Sequence, residues 1–213
     1  MARADDESVT ADDWFQTYYE HPDSGKIESH VEKLQAMGAL HKEHAVEPFA
    51  ALLSRFFKSA KPMQLHDWLT AFGKFPDDDQ VAIVTALFWA DTKDTRAALG
   101  EYRTRGGKLA TLAEKLSDSK PPVFEEFTDP SPTELDMCWG AFFATGDKAY
   151  VLPIIRCAVK PRQPGVFDIT QASAMWSLKS LCQRQKKVQE IKDEFYKSAK
   201  PEEQATLDEL FKN

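Results

Sequence analysis

A chain of 213 residues with 42% hydrophobic and 11% aromatic content can bury a sizeable core, either as one domain or as one elongated array. Its formal net charge of −7 excludes a protein whose whole surface is an electrostatic footprint for nucleic acid, so DNA is not among the expected partners. The longest nearly unbroken apolar run, VAIVTALFWA at 81–90, is about half of what a membrane span needs. The start carries Arg3 and then acids where an export signal needs a greasy stretch, so the cytoplasm is the default expectation, with export if a leader was removed.

Glycine and proline punctuate the chain at intervals of roughly 15 to 20 residues, and between them apolar residues recur with helical spacing. Helices are predicted at 10–20, 25–37, 44–59, 63–73, 77–90, 93–104, 107–117, 132–145, 147–159, 169–183, 185–199 and 201–212. In the third, Val46, Phe49, Ala50, Leu53, Phe56, Phe57 and Ala60 follow the pattern of one buried face, with Pro48 in the first turn. Asp77–Asp79 mark another start, as does Ser131–Pro132–Thr133 followed by Glu134. The helices around 79–90 and 134–145 are apolar almost all round, which places both at the centre of the packing.

Between them, residues 117–133 carry four prolines and no helical period. In a chain read as one all-helical domain, this is a long loop or a subdivision between an N-terminal group, 1–116, and a C-terminal group, 134–213. Val123, Phe124 and Phe127 are expected to pack down. A second proline-rich break, KPRQPGVF at 160–167, precedes the last helices. In GAFFATGDKAYVLPII, 140–155, Gly146 reads as a glycine stop, Asp147 as the next cap, and Pro153 as a bend inside the following helix.

Similar helix-to-helix segments recur at offsets of 54, 32 and 37, too unequal to define a repeat length. The expected architecture is all-α: stacked antiparallel helix pairs forming an irregular array or an orthogonal bundle, like a degenerate α-solenoid. The segments WFQTYYEHPD, ALFWADT, LDMCWGAFFATGD and MWSLKS together resemble a family of short, uncharacterised bacterial all-helical proteins over about 14–191. The layout is similar to tetratricopeptide-like arrays, without their 34-residue signature. The resemblance implies a helical fold and carries over no catalytic residue.

Chemistry-bearing clusters are few. HKEHAVE, 41–47, offers His41, His44 and Glu47 as metal ligands, yet residues six apart point about 240° away from each other on a helix, so the set does not close and a solvated helix start is expected. His21, His30 and His66 have no nucleophile elbow to serve. Asp12–Asp13, Asp77–Asp79, Glu125–Glu126 and Glu202–Glu203 are accounted for by capping and hydration. Cys138, Cys157 and Cys182 read as buried reduced thiols. No catalytic residue, metal or cofactor is expected.

Charge is polarised instead. Residues 148–192 hold nine Lys or Arg against Asp168 and Glu190, a local excess of seven. Arg162, Lys179, Arg184, Lys186 and Lys187, with Trp176, are the candidate partner-binding residues. The other tryptophans, Trp14, Trp68, Trp89 and Trp139, suit core anchoring. The expected function is non-enzymatic binding of a protein or peptide on a helical surface, with membrane-surface contact as a weaker expectation. RNA is disfavoured by the lack of interleaved aromatics. The second reading is a small-molecule carrier or enzyme with a pocket between the central helices.

Overall fold

Short polar caps and prolines set the helix starts. The computed structural model describes residues 11–42, 44–161 and 167–212, and among them runs twelve α-helices with no strand. They are α1 (Ala11–Thr17), α2 (Ile27–Ala36), α3 (Val46–Ser59), α4 (Pro62–Phe72), α5 (Asp77–Ala90) and α6 (Lys93–Thr104). There follow α7 (Gly107–Ser117), α8 (Pro132–Thr145), α9 (Val151–Val159), α10 (Ile169–Arg184), α11 (Lys186–Ser198) and α12 (Pro201–Phe211). Pro62, Pro132 and Pro201 open their helices at the first position, where a missing N–H has no acceptor to lose. At α8 the Glu134 N–H donates to Ser131 Oγ, and the Ser131 N–H donates to Glu134 Oε2 at 2.7 Å, closing a capping box. All-α is thus the observed class, with every predicted helix in place.

Three boundaries differ for local reasons. The predicted 10–20 helix is α1 followed by a 3-10 turn at Tyr18–Glu20. The helix expected from 44 starts at Val46, because His44 takes a left-handed φ of 63°. The helix expected over 147–159 is a 3-10 turn, Lys148–Tyr150, and then α9. Pro153 therefore falls in the first turn of α9, where its ring replaces an N–H that the change of helix type leaves without an α-helical acceptor, and the expected bend has no cause.

The chain divides into two compact units, Met1–Pro122 with Phe143–Thr145, and Val123–Phe142 with Gly146–Asn213. In the first, α5 packs against α3, α6 and α7. Leu53, Phe57, Ile83, Leu87, Leu99 and Ala113 lie in its buried core. Its first turn holds a polar exception. Asp79, with a side chain 2% exposed, accepts from Gln35 Nε2 at 2.9 Å and meets His41 Nδ1 at 2.6 Å. A buried carboxylate needs such partners, so Asp79 is a structural tie and not the hydrated cap expected of it.

In the second unit α9 packs against α10, α11 and α12. Ile154, Ile155, Ala158, Leu178, Val188 and Leu207 are buried. Phe124 is fully buried and its carbonyl lies 3.8 Å from Cys138 Sγ, whereas Val123, expected to pack down, is half exposed. In α8, Leu135, Met137, Cys138, Trp139 and Phe142 are buried, as an all-round apolar helix requires.

The corner after α8 behaves as its sequence predicts. Gly146 has φ 66° and its N–H donates to Phe142 O at 2.7 Å, while Asp147 Oδ1 accepts from the Ala149 N–H at 2.9 Å. Gly146→Val should lower stability in urea unfolding by roughly 1–3 kcal/mol, since a β-branched residue at positive φ is strained; an unchanged midpoint would remove the left-handed requirement. The three cysteines are buried thiols. Burial pushes the Cys182 thiol up to about 12 and raises that of Cys157. Ellman's reagent at about pH 8 should therefore label no thiol in the native protein and all three in denaturant; a labelled thiol under native conditions would contradict this burial.

Candidate functional site

Helix α10 has one face for its own unit and one for solvent. Gln171, Ala174, Leu178, Leu181 and Cys182 are buried, a stripe of helical period facing inward. At about 100° per residue, Trp176 lies opposite that stripe, with Ile169 about 20° from it in projection. Trp176 is 74% exposed, Ile169 64% and Phe167, just before the helix, 81%. Two large apolar side chains on one exposed helix face, with a third exposed just before the helix, are unusual for a surface whose apolar residues are otherwise scattered.

A polar clasp fixes this rotation. Gln171 Nε2 donates to Ala158 O at 3.2 Å and Lys160 O at 2.6 Å, tying the first turn of α10 to the end of α9. The Gln171 N–H donates to the cap Asp168 Oδ1 at 2.9 Å, and Lys160 Nζ reaches Asp168 Oδ2 at 2.8 Å and Asp129 Oδ1 at 3.1 Å. The hydrogen bond from Lys160 holds the Asp168 carboxyl below its ordinary range, and that to Asp168 raises the Lys160 ammonium.

The basic excess read over 148–192 is smaller in three dimensions. Lys148 pairs with Glu194 at 2.6 Å, Lys192 with Asp193 at 2.6 Å and Lys186 with Glu190 at 3.6 Å. Asp129, Asp193 and Glu194 lie outside 148–192 in sequence but pair with its cations in the fold. Among the described residues Lys179, Arg184 and Lys187 have no carboxylate within ion-pair distance.

The candidate residues fall into three places. Trp176, Lys179 and Arg184 share the outer side of α10, and Arg184 folds back so that its Nη2 donates to Ser180 Oγ at 3.2 Å. Lys186 and Lys187 begin α11; Lys187 lines a shallow polar groove with Gly146, Asp147, Lys148, Glu190 and Glu194. Arg162 lies outside the described residues. Phe167 and Ile169 were missed by sequence reasoning. The inward stripe of Ala174, Leu178, Leu181 and Cys182 is the signal that puts Ile169 and Trp176 on the opposite side.

His41 is engaged by Asp79, His30 stacks on Trp14 with ring centroids 3.9 Å apart, and no group of three metal-ligating side chains forms among the described residues. His66 lines an open groove of about 240 Å³ between α4 and α6 with Asp94, Glu101 and Arg105. The carboxylates with displaced ionisation all move down. Asp78 is lowered by Lys108 and Glu194 by Lys148; Asp193 is lowered in spite of burial, by Lys192 and Gln189. Each is held ionised beside an ammonium, the opposite of what a proton donor needs.

The chain matches no family model, no curated protein and no solved structure.

Gln171→Ala should lower stability by roughly 1–3 kcal/mol, because the donor shared by two carbonyls at the end of α9 disappears. Gln189→Ala, whose amide meets Asp193 on the surface, should stay within about 0.5 kcal/mol of the parent in the same urea series. Equal losses for the two variants would remove the clasp as a determinant of α10.

Proposed function

We propose that this protein is a non-enzymatic helical domain that binds a protein or peptide partner through the outward face of α10. The observation that supports it is Trp176, 74% exposed on a helix whose other side is buried, with Ile169 exposed on the same face and Phe167 exposed just before the helix. Tryptophan presents a large rigid area at small entropic cost, and a few such anchors carry most of the energy of an interface. The lowered carboxylates and the engaged His41 favour a surface over a reaction centre.

Trp176→Ala should leave the melting temperature unchanged, since the side chain is exposed, and weaken partner capture by about 30-fold or more, the effect of a hot spot worth roughly 2 kcal/mol. The measurement is quantitative capture from cell extract by parent, Trp176→Ala and Met63→Ala proteins; Met63 is equally exposed, at 77%, on α4. Partners retained by Met63→Ala and lost by Trp176→Ala support the reading. Partners indifferent to Trp176 sink it.

A further inference from the structure

We propose that the occupant of the α10 face is an acidic amphipathic helix, with apolar anchors along one stripe and Asp or Glu on both flanks; this rests on the reading of α10 as a binding face. Ile169, Ala172, Ser173, Trp176, Ser180 and Gln183 project within about 60° of the Trp176 line. From Ile169 to Gln183 this ridge is about 21 Å long, room for roughly four turns of a partner helix. Its anchors stand at 169 and 176, the seven-residue spacing that another helix meets with its own i, i+3, i+4, i+7 residues.

Charge sets the chemistry of that partner. The sixteen residues of α10 include no Asp or Glu. Lys179 stands about 60° to one side of the ridge and Arg184 about 80° to the other. Neither has a carboxylate partner among the described residues, and Arg184 is held over Ser180, next to the ridge. The acid that caps α10, Asp168, is occupied by Lys160 and the Gln171 N–H. A partner helix with carboxylates flanking its apolar stripe would meet both cations, and charge complementarity of this kind selects among apolar partners.

The other occupants fit less well. Insertion into a lipid surface needs a broad continuous apolar face, whereas Ser173, Ser180 and Gln183 interrupt this one, and a chain of net charge −7 is repelled by anionic headgroups. A second copy would bring Lys179 and Arg184 of both chains to one seam.

The test uses the full chain and three labelled synthetic helices of about 18 residues with the same leucine stripe, their flanks built from Glu, Gln or Lys. Read by fluorescence anisotropy, the Glu peptide should bind at least about tenfold tighter than the Gln peptide, and the Lys peptide weakest. That advantage should shrink as salt rises from about 50 to about 500 mM. Lys179→Glu with Arg184→Glu should reverse the order, and Trp176→Ala should weaken all three. Equal affinity for the Glu and Gln peptides, with dependence on Trp176 kept, overturns the acidic partner while leaving the binding face standing. Absence of binding to every peptide overturns the helical partner. Trp176-dependent sedimentation with vesicles of phosphatidylcholine and phosphatidylserine in roughly 7:3 ratio overturns both readings in favour of a lipid surface. Self-association lost in Trp176→Ala assigns the face to a second copy and overturns the acidic helix.

Discussion

The rotation of α10 about its own axis depends on Gln171. The two sides of this helix carry comparable apolar content, with Leu178, Leu181, Ala174 and Cys182 inside and Trp176, Ile169 and Ala172 outside or at the border. Area burial alone therefore discriminates weakly between the observed orientation and one turned by half a revolution. The clasp discriminates strongly. In the turned orientation the Gln171 amide faces water and the donor that reaches the Ala158 and Lys160 carbonyls is gone, a difference of two hydrogen bonds at about 1 kcal/mol each. A polar contact thus decides where the largest exposed apolar side chains go.

Asp79 plays a comparable part in the first unit. Its carboxylate ties Gln35 on α2 and His41 in the segment before α3 to the first turn of the most enclosed helix, α5. The positive end of α5 adds to those two partners, so the acid is held where an aliphatic residue would pack but bind nothing. In both units a single buried polar side chain fixes the register of helices whose apolar faces would tolerate sliding.

The helices were legible in the sequence because their signals are local. Proline, glycine and capping residues lie within one turn of the ends they set, and periodicity needs only the helix itself, which is why Ser131–Glu134 and Gly146 read correctly. Contacts distant in sequence were not legible. Asp79 looked like a hydrated cap because its partners lie 44 and 38 residues away. Pro153 looked like a bend because nothing in its neighbourhood announces that the preceding turn is 3-10. The site was half legible. The charge count behind Arg162, Lys179, Arg184, Lys186 and Lys187 also takes in Lys148, Lys160 and Lys192, and the acids that pair with Lys148, Lys160, Lys186 and Lys192 are contributed by other segments or the next turn, while Trp176 stands out by its ring alone.

The exposed face carries a thermodynamic consequence of its own. Leaving Phe167, Ile169 and Trp176 in water forgoes roughly 3–6 kcal/mol of burial, comparable with a sizeable share of the net stability of a domain this size. Elsewhere the same chain buries several such residues thoroughly: Trp68 and Trp139 are 4% and 5% exposed, and Phe57, Phe72, Phe124 and Phe142 are at most 1% exposed. A core so complete in unit 1 and around α9 has no shortage of apolar residues to explain the exception. In the binding reading proposed for α10, the burial withheld there is free energy that folding leaves unused and that association would draw on, while the flanking cations, too weak in water to drive association, would select which apolar surface is admitted. On that proposal affinity belongs to the apolar ridge and specificity to Lys179 and Arg184, a division that follows from where each side chain stands on one helix.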